Sequence, residues 1–175
     1  MKITQKSTMA VAILFLLFLC TNRTWSQSET DNNSGKHEIK INGLYILLEY
    51  IEISYDYVLG EQSTVGISLS VSAGGDIGYD YMINPNYKLF FNEKKASGFF
   101  IEANSALYSG TYGDWIFGGD NNAFGFGLGI AIGGKFMNKQ GFIGELILGG
   151  GRNFANTDVI GDGYPRFGIS IGKRF

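Results

Sequence analysis

A two-residue alternation of side-chain character runs through this chain and limits its fold more than any other feature. In the closing segment Phe167, Ile169, Ile171 and Phe175 share one face, while Arg166, Gly168, Ser170, Gly172 and Arg174 share the other. Between Phe124 and Ile132, Phe124, Phe126, Leu128, Ile130 and Ile132 oppose Gly125, Gly127, Gly129 and Ala131. Val65, Ile67, Leu69 and Val71 oppose Gly66, Ser68, Ser70 and Ser72, and Glu49–Leu59 splits in the same way. Tyr81–Phe91, Gly98–Tyr108 and Gly141–Asn153 follow more loosely, and Ile39–Leu48 is apolar with poor alternation. A period of two is the mark of strands with two unlike faces, and beyond residue 38 no stretch holds the 3.6-residue period of a helix. The chain therefore reads as all-β, with eight strands.

The connections alternate in length. Gly60–Thr64, Asn92–Ser97 and Met137–Gln140 are short; Ala73–Asp80, Ser109–Asn122 and Phe154–Gly163 are longer, and the one near Leu48 is very short. Such a rhythm suits antiparallel hairpins in an up-and-down barrel with tight turns at one end and loops at the other. Pro85 falls inside the fourth segment and has no N–H for a ladder, so a bulge or a later strand start is expected there.

Eight alternating strands fit either a soluble lipocalin-like barrel, apolar side inward around a ligand, or a transmembrane barrel, apolar side outward. The charges decide between them. With the small-residue face inward, the interior gains Glu52, Asp56, Glu102 and Glu145 together with Lys88, Lys135, Arg166 and Arg174, four acids against four bases. On a lipid face a mid-membrane Lys or Arg costs about 2–4 kcal/mol. The outward face carries charge only near strand ends, at Glu49, Arg152 and Lys173. A soluble barrel would instead expose a surface of Gly, Ser and Ala, far poorer in charge than the ~25–35% usual for a soluble surface. The 26 Gly of the chain also suit a narrow lumen that cannot hold a bulky group at every inward position.

The beginning of the chain agrees with export. Lys2 and Lys6 precede an apolar run from Met9 to Cys20, too short for a spanning helix of about 20 residues, and Thr24-Trp25-Ser26 places small residues at −3 and −1 of a cleavage before Gln27. Residues 1–26 are thus expected to be a signal peptide, 27–38 a flexible polar lead-in and 39–175 the barrel. Leu19 before Cys20 argues against lipidation, and cleavage leaves no cysteine for disulfide or thiol chemistry. The segment holds three bases and no acid, so the remaining chain has 11 bases (14 less 3) against 16 acids. That balance, without a basic cluster, excludes nucleic acid as a partner. Phe175, an aromatic ending on the last strand, reads as the signal for the barrel-insertion machinery. It puts the short turns in the periplasm, beside a girdle of Tyr55, Tyr57, Phe91, Phe99, Phe136 and Phe142.

Several stretches resemble a family of small outer-membrane barrels of Bacteroidota grouped as a domain of unknown function. They are Ile51-Glu52-Ile53-Ser54-Tyr55-Asp56-Tyr57, Ser97-Gly98-Phe99-Phe100-Ile101-Glu102, Phe126-Gly127-Leu128-Gly129 through Gly134-Lys135-Phe136, Gly141-Phe142-Ile143 with Gly149-Gly150-Gly151-Arg152-Asn153-Phe154, and Phe167 through Phe175. The resemblance implies a barrel and an outer-membrane location. It brings no catalytic residues.

Chemistry-bearing motifs are few. His37 is the only histidine and is expected in the solvated lead-in, so the His-dependent acyltransferase and deacylase chemistry of some eight-stranded barrels lacks its base. One His and no remaining Cys make a poor zinc set. Gly125-Phe126-Gly127-Leu128-Gly129 fails the spacing of a dinucleotide loop because Ile132 stands at the third glycine position, and Gly149-Gly150-Gly151 lacks the lysine of a phosphate loop and reads as a flexible or bent strand end. Asp76, Asp80, Asp114, Asp120, Asp158 and Asp162 fall in the three long loops, which hold no Lys or Arg. Carboxylates attract hard cations, but the spacing of a calcium loop is missing, and solvated acidic loops are the plainer reading. Trp115, Ile116 and Phe117 are expected to fold back over the mouth.

Taken together, the residues point to a monomeric barrel of the cell outer membrane, in contact with membrane lipid and lipopolysaccharide, with no cofactor or metal, no catalysis, and a structural or surface-interaction role. A narrow channel for small solutes and a soluble periplasmic ligand carrier are the alternatives.

Overall fold

The computed structural model describes residues 35–74, 79–92, 95–113 and 120–175, with the side chains of 111–113, 120–122 and 159 excepted. The signal segment, most of the lead-in, Asp76, Asp114 and Trp115 to Phe117 lie outside the described residues. Eight antiparallel strands close on themselves: β1 (His37–Asn42), β2 (Tyr50–Val58), β3 (Ser63–Ser72), β4 (Tyr81–Phe90), β5 (Gly98–Gly113), β6 (Asp120–Met137), β7 (Phe142–Asn153) and β8 (Gly163–Arg174). Every neighbour in space is a neighbour in sequence except at the seam, where β1 pairs β8 from Glu38↔Arg174 to Asn42↔Ser170. Closure leaves no open edge, which is how a sheet satisfies all its backbone groups without water.

The first strand differs from the sequence reading. It begins at His37, inside the expected lead-in, and stops at Asn42; Gly43–Leu47 then forms a short helix, α1. Asn42 caps it, its side-chain oxygen accepting from the Tyr45 N–H at 3.4 Å. The run Leu44 to Leu48 looks like strand because it is apolar throughout. It is a helical turn that drops Tyr45 into the barrel mouth and leaves Ile46, Leu47 and Leu48 exposed. The first connection is therefore not a tight turn, and Glu49 after it takes a left-handed φ of 63°.

Pro85 makes no bulge. Ile83↔Leu107 and Asn86↔Asn104 share one register, so no residue is inserted; bridging to β5 lapses between them while Ile67↔Pro85 holds on the β3 side. Gly149-Gly150-Gly151 is regular strand, paired to β6 and to β8. A Cβ on Gly151 would meet the Tyr164 ring at 2.4 Å, so close packing fixes the glycine there. The loop expected over Ser109–Asn122 is mostly strand, with pairing reaching Gly113↔Asp120, which puts Asp120 in β6.

The connections sort to two ends. α1, residues 73–74 and 79–80, the ends of β5 and β6 at Gly113 and Asp120, and the segment 154–162 with the short α2 (Thr157–Ile160) lie at one, the loop end. The turns 59–62 and 138–141 and residues 91–92 and 95–97 lie at the other, with His37 and Phe175. Each end has an aromatic layer inside it. At the loop end Tyr45, Tyr50, Tyr79, Tyr108 and Tyr164 follow one another, ring to ring, at 4.8 to 6.4 Å, and the half-buried Phe167 of the outer face packs against Tyr45 at 5.4 Å. Toward the turn end Val58, Phe90, Ala96, Phe100, Ala131 and Ile147 pack together.

Candidate functional site: the charged lumen

Inward positions on the strands carry charge in matched pairs. All eight residues assigned to the interior from alternation are buried: Glu52, Asp56, Lys88, Glu102, Lys135, Glu145, Arg166 and Arg174. Glu38 and Lys40 of β1 join them, 0% and 1% exposed. Their signal was present in the sequence, since Glu38, Lys40 and Asn42 alternate with Ile39 and Ile41. The apolar α1 run hid it by blurring the end of the strand. Among the described residues the lumen thus holds five acids and five bases, which sum to zero.

The ten groups form one connected set. Lys40 Nζ donates to Asp56 Oδ2 at 2.6 Å and to Glu145 Oε2 at 2.8 Å. Lys88 Nζ reaches the same two carboxylates, at 2.9 and 2.8 Å, and lies 3.8 Å from Glu102. Lys135 donates to Glu38 at 2.8 Å, and Arg174 Nε to the other oxygen of Glu38 at 2.8 Å. Arg166 spans the barrel from β8, giving Nη1 to Glu52 and Nε to Glu102, each at 3.1 Å. These links tie β1 to β7, β6 to β1 and β8 to β5, so the side chains bridge the space a pore would need. Removing ions from water costs several kcal/mol each unless pairing and hydrogen bonds offset it, and a neutral, shared network supplies both. Lys88 and Lys135 also sit over the Phe100 and Phe90 rings, at 5.3 and 4.6 Å to the centroids.

The outward face is the apolar one. Ile53, Leu69, Leu128, Ile130, Ile132, Leu146, Leu148 and Ile171 are about half exposed or more. Glu49, Arg152 and Lys173 stand at the strand ends, as the sequence indicates, with Lys173 over the Phe142 ring at 5.4 Å. Of the expected girdle, Tyr55, Phe91, Phe99, Phe136 and Phe142 are exposed beside the turn end, and Tyr57 is half-buried. An apolar lumen around a ligand, as the soluble-carrier alternative requires, is not what the chain builds.

His37 is a strand residue rather than part of a solvated tail. Its ring hydrogen-bonds to the Tyr55 hydroxyl at 2.8 Å and stacks on Phe175 at 6.0 Å, while its backbone exchanges bonds with Phe175 across the seam. Asp80, Asp158 and Asp162 are exposed at the loop end. Among the described residues no three His, Cys, Asp or Glu side chains come together as a metal site. Sequence reasoning missed the tyrosine layer. Burial raises the Tyr45 phenol above its ordinary range and pushes Tyr79 up to about 12.

A closed eight-stranded antiparallel barrel, with paired charge inside and an apolar coat outside, is the class this geometry defines. Compared with known proteins, the chain matches no family model and no curated protein. Its fold resembles the crystal structure of the N-terminal beta-barrel domain of Pseudomonas aeruginosa OprF, with a TM-score of 0.57, 14% identity, and coverage of 81% of this chain and 98% of that one. At that identity the likeness concerns the fold alone.

Proposed function

We propose that the chain is an integral barrel of the bacterial outer membrane, plugged by its own side chains, whose role is structural or interaction-based at the cell surface. The observation that carries this is the inversion of polarity: ten paired charges within and a continuous apolar belt without. A bilayer is the solvent that favours such a surface, because a closed barrel presents no open strand edge to hydrocarbon. Lipid and lipopolysaccharide are then its surroundings and the barrel-insertion machinery its assembly partner. Membership in the Bacteroidota group belongs to the same proposal and rests on the glycine-aromatic stretches quoted above.

Links such as Lys88 to Glu145 and Arg166 to Glu102 cross the lumen, which favours a plug over a solute channel. We assign no catalysis, since the geometry offers His37 only outside the barrel, in contact with Tyr55 and Phe175. Reconstitution of the purified chain in a planar bilayer tests the plug. The expected trace shows no steady single-channel current; defined, reproducible conductance steps would make the barrel a channel.

A further inference from the structure

We infer that the inner wall formed by β2 to β5 lines a closed, hydrated chamber, a binding site for small neutral hydrogen-bond donors and for water first. Six buried polar atoms on this wall have no hydrogen-bond partner among the described residues: Asp56 Oδ1, Thr64 Oγ1, Asn84 Oδ1 and Nδ2, Asn86 Oδ1 and Glu102 Oε2. They form one patch. Across the ladders Asn86 faces Gly66, which faces Asp56, while Thr64 faces Lys88, which in turn faces Glu102; Asn84 faces Ser68. All five residues are buried, Asp56, Thr64 and Glu102 at 0% exposure. Buried polar groups in folded proteins are nearly always paired, with protein or with ordered water, so six orphans on one wall call for a common occupant.

The nearby cations are already engaged. Lys40 and Lys88 both bind Asp56 through Oδ2 and both bind Glu145, Lys88 stands 3.8 Å from Glu102 Oε2, beyond hydrogen-bond reach, and Arg166 is held by Glu52 and by Glu102 through Oε1. Five of the six orphan atoms are oxygens, so the occupant must chiefly donate. Among the described residues the lumen already balances five acids with five bases, so the occupant should be neutral; a cation would break that balance beside Lys88. Water meets both conditions, and roughly three molecules, each making about three hydrogen bonds, would serve the patch.

The wall also leaves room. Small residues occupy inward positions at Ser54, Thr64, Gly66, Ser68 and Ser70, with the Asp56 carboxylate lying over Gly66. Both ends are covered. The tyrosine layer lies over the loop end. At the turn end the Phe90–Phe100 layer is backed by Arg174, which donates to the Lys95 and Ala96 carbonyls at 2.8 and 3.2 Å. Such water is held rather than passed through. The inference depends on the barrel interior alone and stands whatever solvent meets the outer face.

The test is magnetisation transfer from water to the Asn84 and Asn86 side-chain amides in the 15N-labelled full chain, folded in detergent or, if it proves soluble, in buffer. Cross-peaks of a long-lived water at Asn84 Nδ2 are expected, and they vanish in Asn84→Leu. Visible Asn84 amide protons without such a cross-peak would overturn the chamber. Thr64→Val provides a second reading should Asn84→Leu not fold. If water binds the hydroxyl, the denaturant midpoint stays or falls; if the site is dry, losing an orphan hydroxyl raises the midpoint, and the inference fails.

Discussion

Lys88 on β4 and Glu145 on β7 stand three strands apart around the barrel, yet their charged groups meet inside it at 2.8 Å. Because Glu145 also takes Lys40, and Lys88 also takes Asp56, each charge is counted into a neutral total rather than into one pair. Removing one partner leaves an uncompensated ion in a space from which the protein has excluded bulk solvent.

Lys88→Met is therefore expected to cost about 3–5 kcal/mol, and Glu145→Gln to be destabilising in the same direction. The double variant restores neutrality and keeps the Lys40–Asp56 pair, so its cost should be well below the sum of the two. Urea titration of the folded band on cold gels measures all three. Strict additivity would show that the network is not shared.

Gly133 and Gly134 are adjacent and should respond oppositely to enlargement. A Cβ on Gly133 would lie 2.3 Å from the Leu146 carbonyl oxygen and 2.4 Å from the Phe100 ring, whereas on Gly134 its nearest neighbour is the Phe136 ring at 3.7 Å. Gly133→Leu is expected to abolish the folded form, and Gly134→Leu to leave it intact. Equal tolerance would mean that the inner and outer faces of β6 are wrongly assigned.

Ile130, 67% exposed on β6, reports on the medium outside. In a bilayer Ile130→Arg should lower stability by about 2–4 kcal/mol, because the charge meets hydrocarbon. In water the same change would be close to neutral. Unfolding in lipid vesicles distinguishes the two.

Alkaline pH should loosen the loop end. Burial holds the Tyr79 phenol neutral up to about 12, against about 10 for an exposed tyrosine. The folded value is the raised one, so its contribution to stability is complete below pH 10 and is lost as pH climbs through 12. Tyr79→Phe should flatten that decline in the denaturant midpoint; an unchanged slope would remove Tyr79 from the account.

Most of this architecture was legible in the sequence, because a strand between two unlike media must alternate. Glu52, Asp56, Lys88 and Arg166 fell on the inner face from parity alone. Parity failed where another signal overlaid it. Leu44 to Leu48 is apolar for a helical turn, and this concealed Glu38 and Lys40 just before it; with four acids already matching four bases, neutrality gave no hint that a pair was missing. The tyrosine layer was illegible for a different reason. Tyr45, Tyr79 and Tyr164 come from distant segments, and only closure of the barrel brings them together, with Gly127 and Gly151 making space for the Tyr164 ring. Strand ends were underestimated at β5 and β6, where pairing continues to Gly113 and Asp120, past the apolar residues that marked the segments.

The central claim is that the apolar outer face meets membrane lipid. The most direct measurement is the migration of the protein from an outer-membrane fraction on a detergent gel, unheated and boiled. The band should be found in that fraction and should shift on boiling, because a closed barrel survives cold detergent. Recovery in the soluble periplasm, with no shift, would contradict the account.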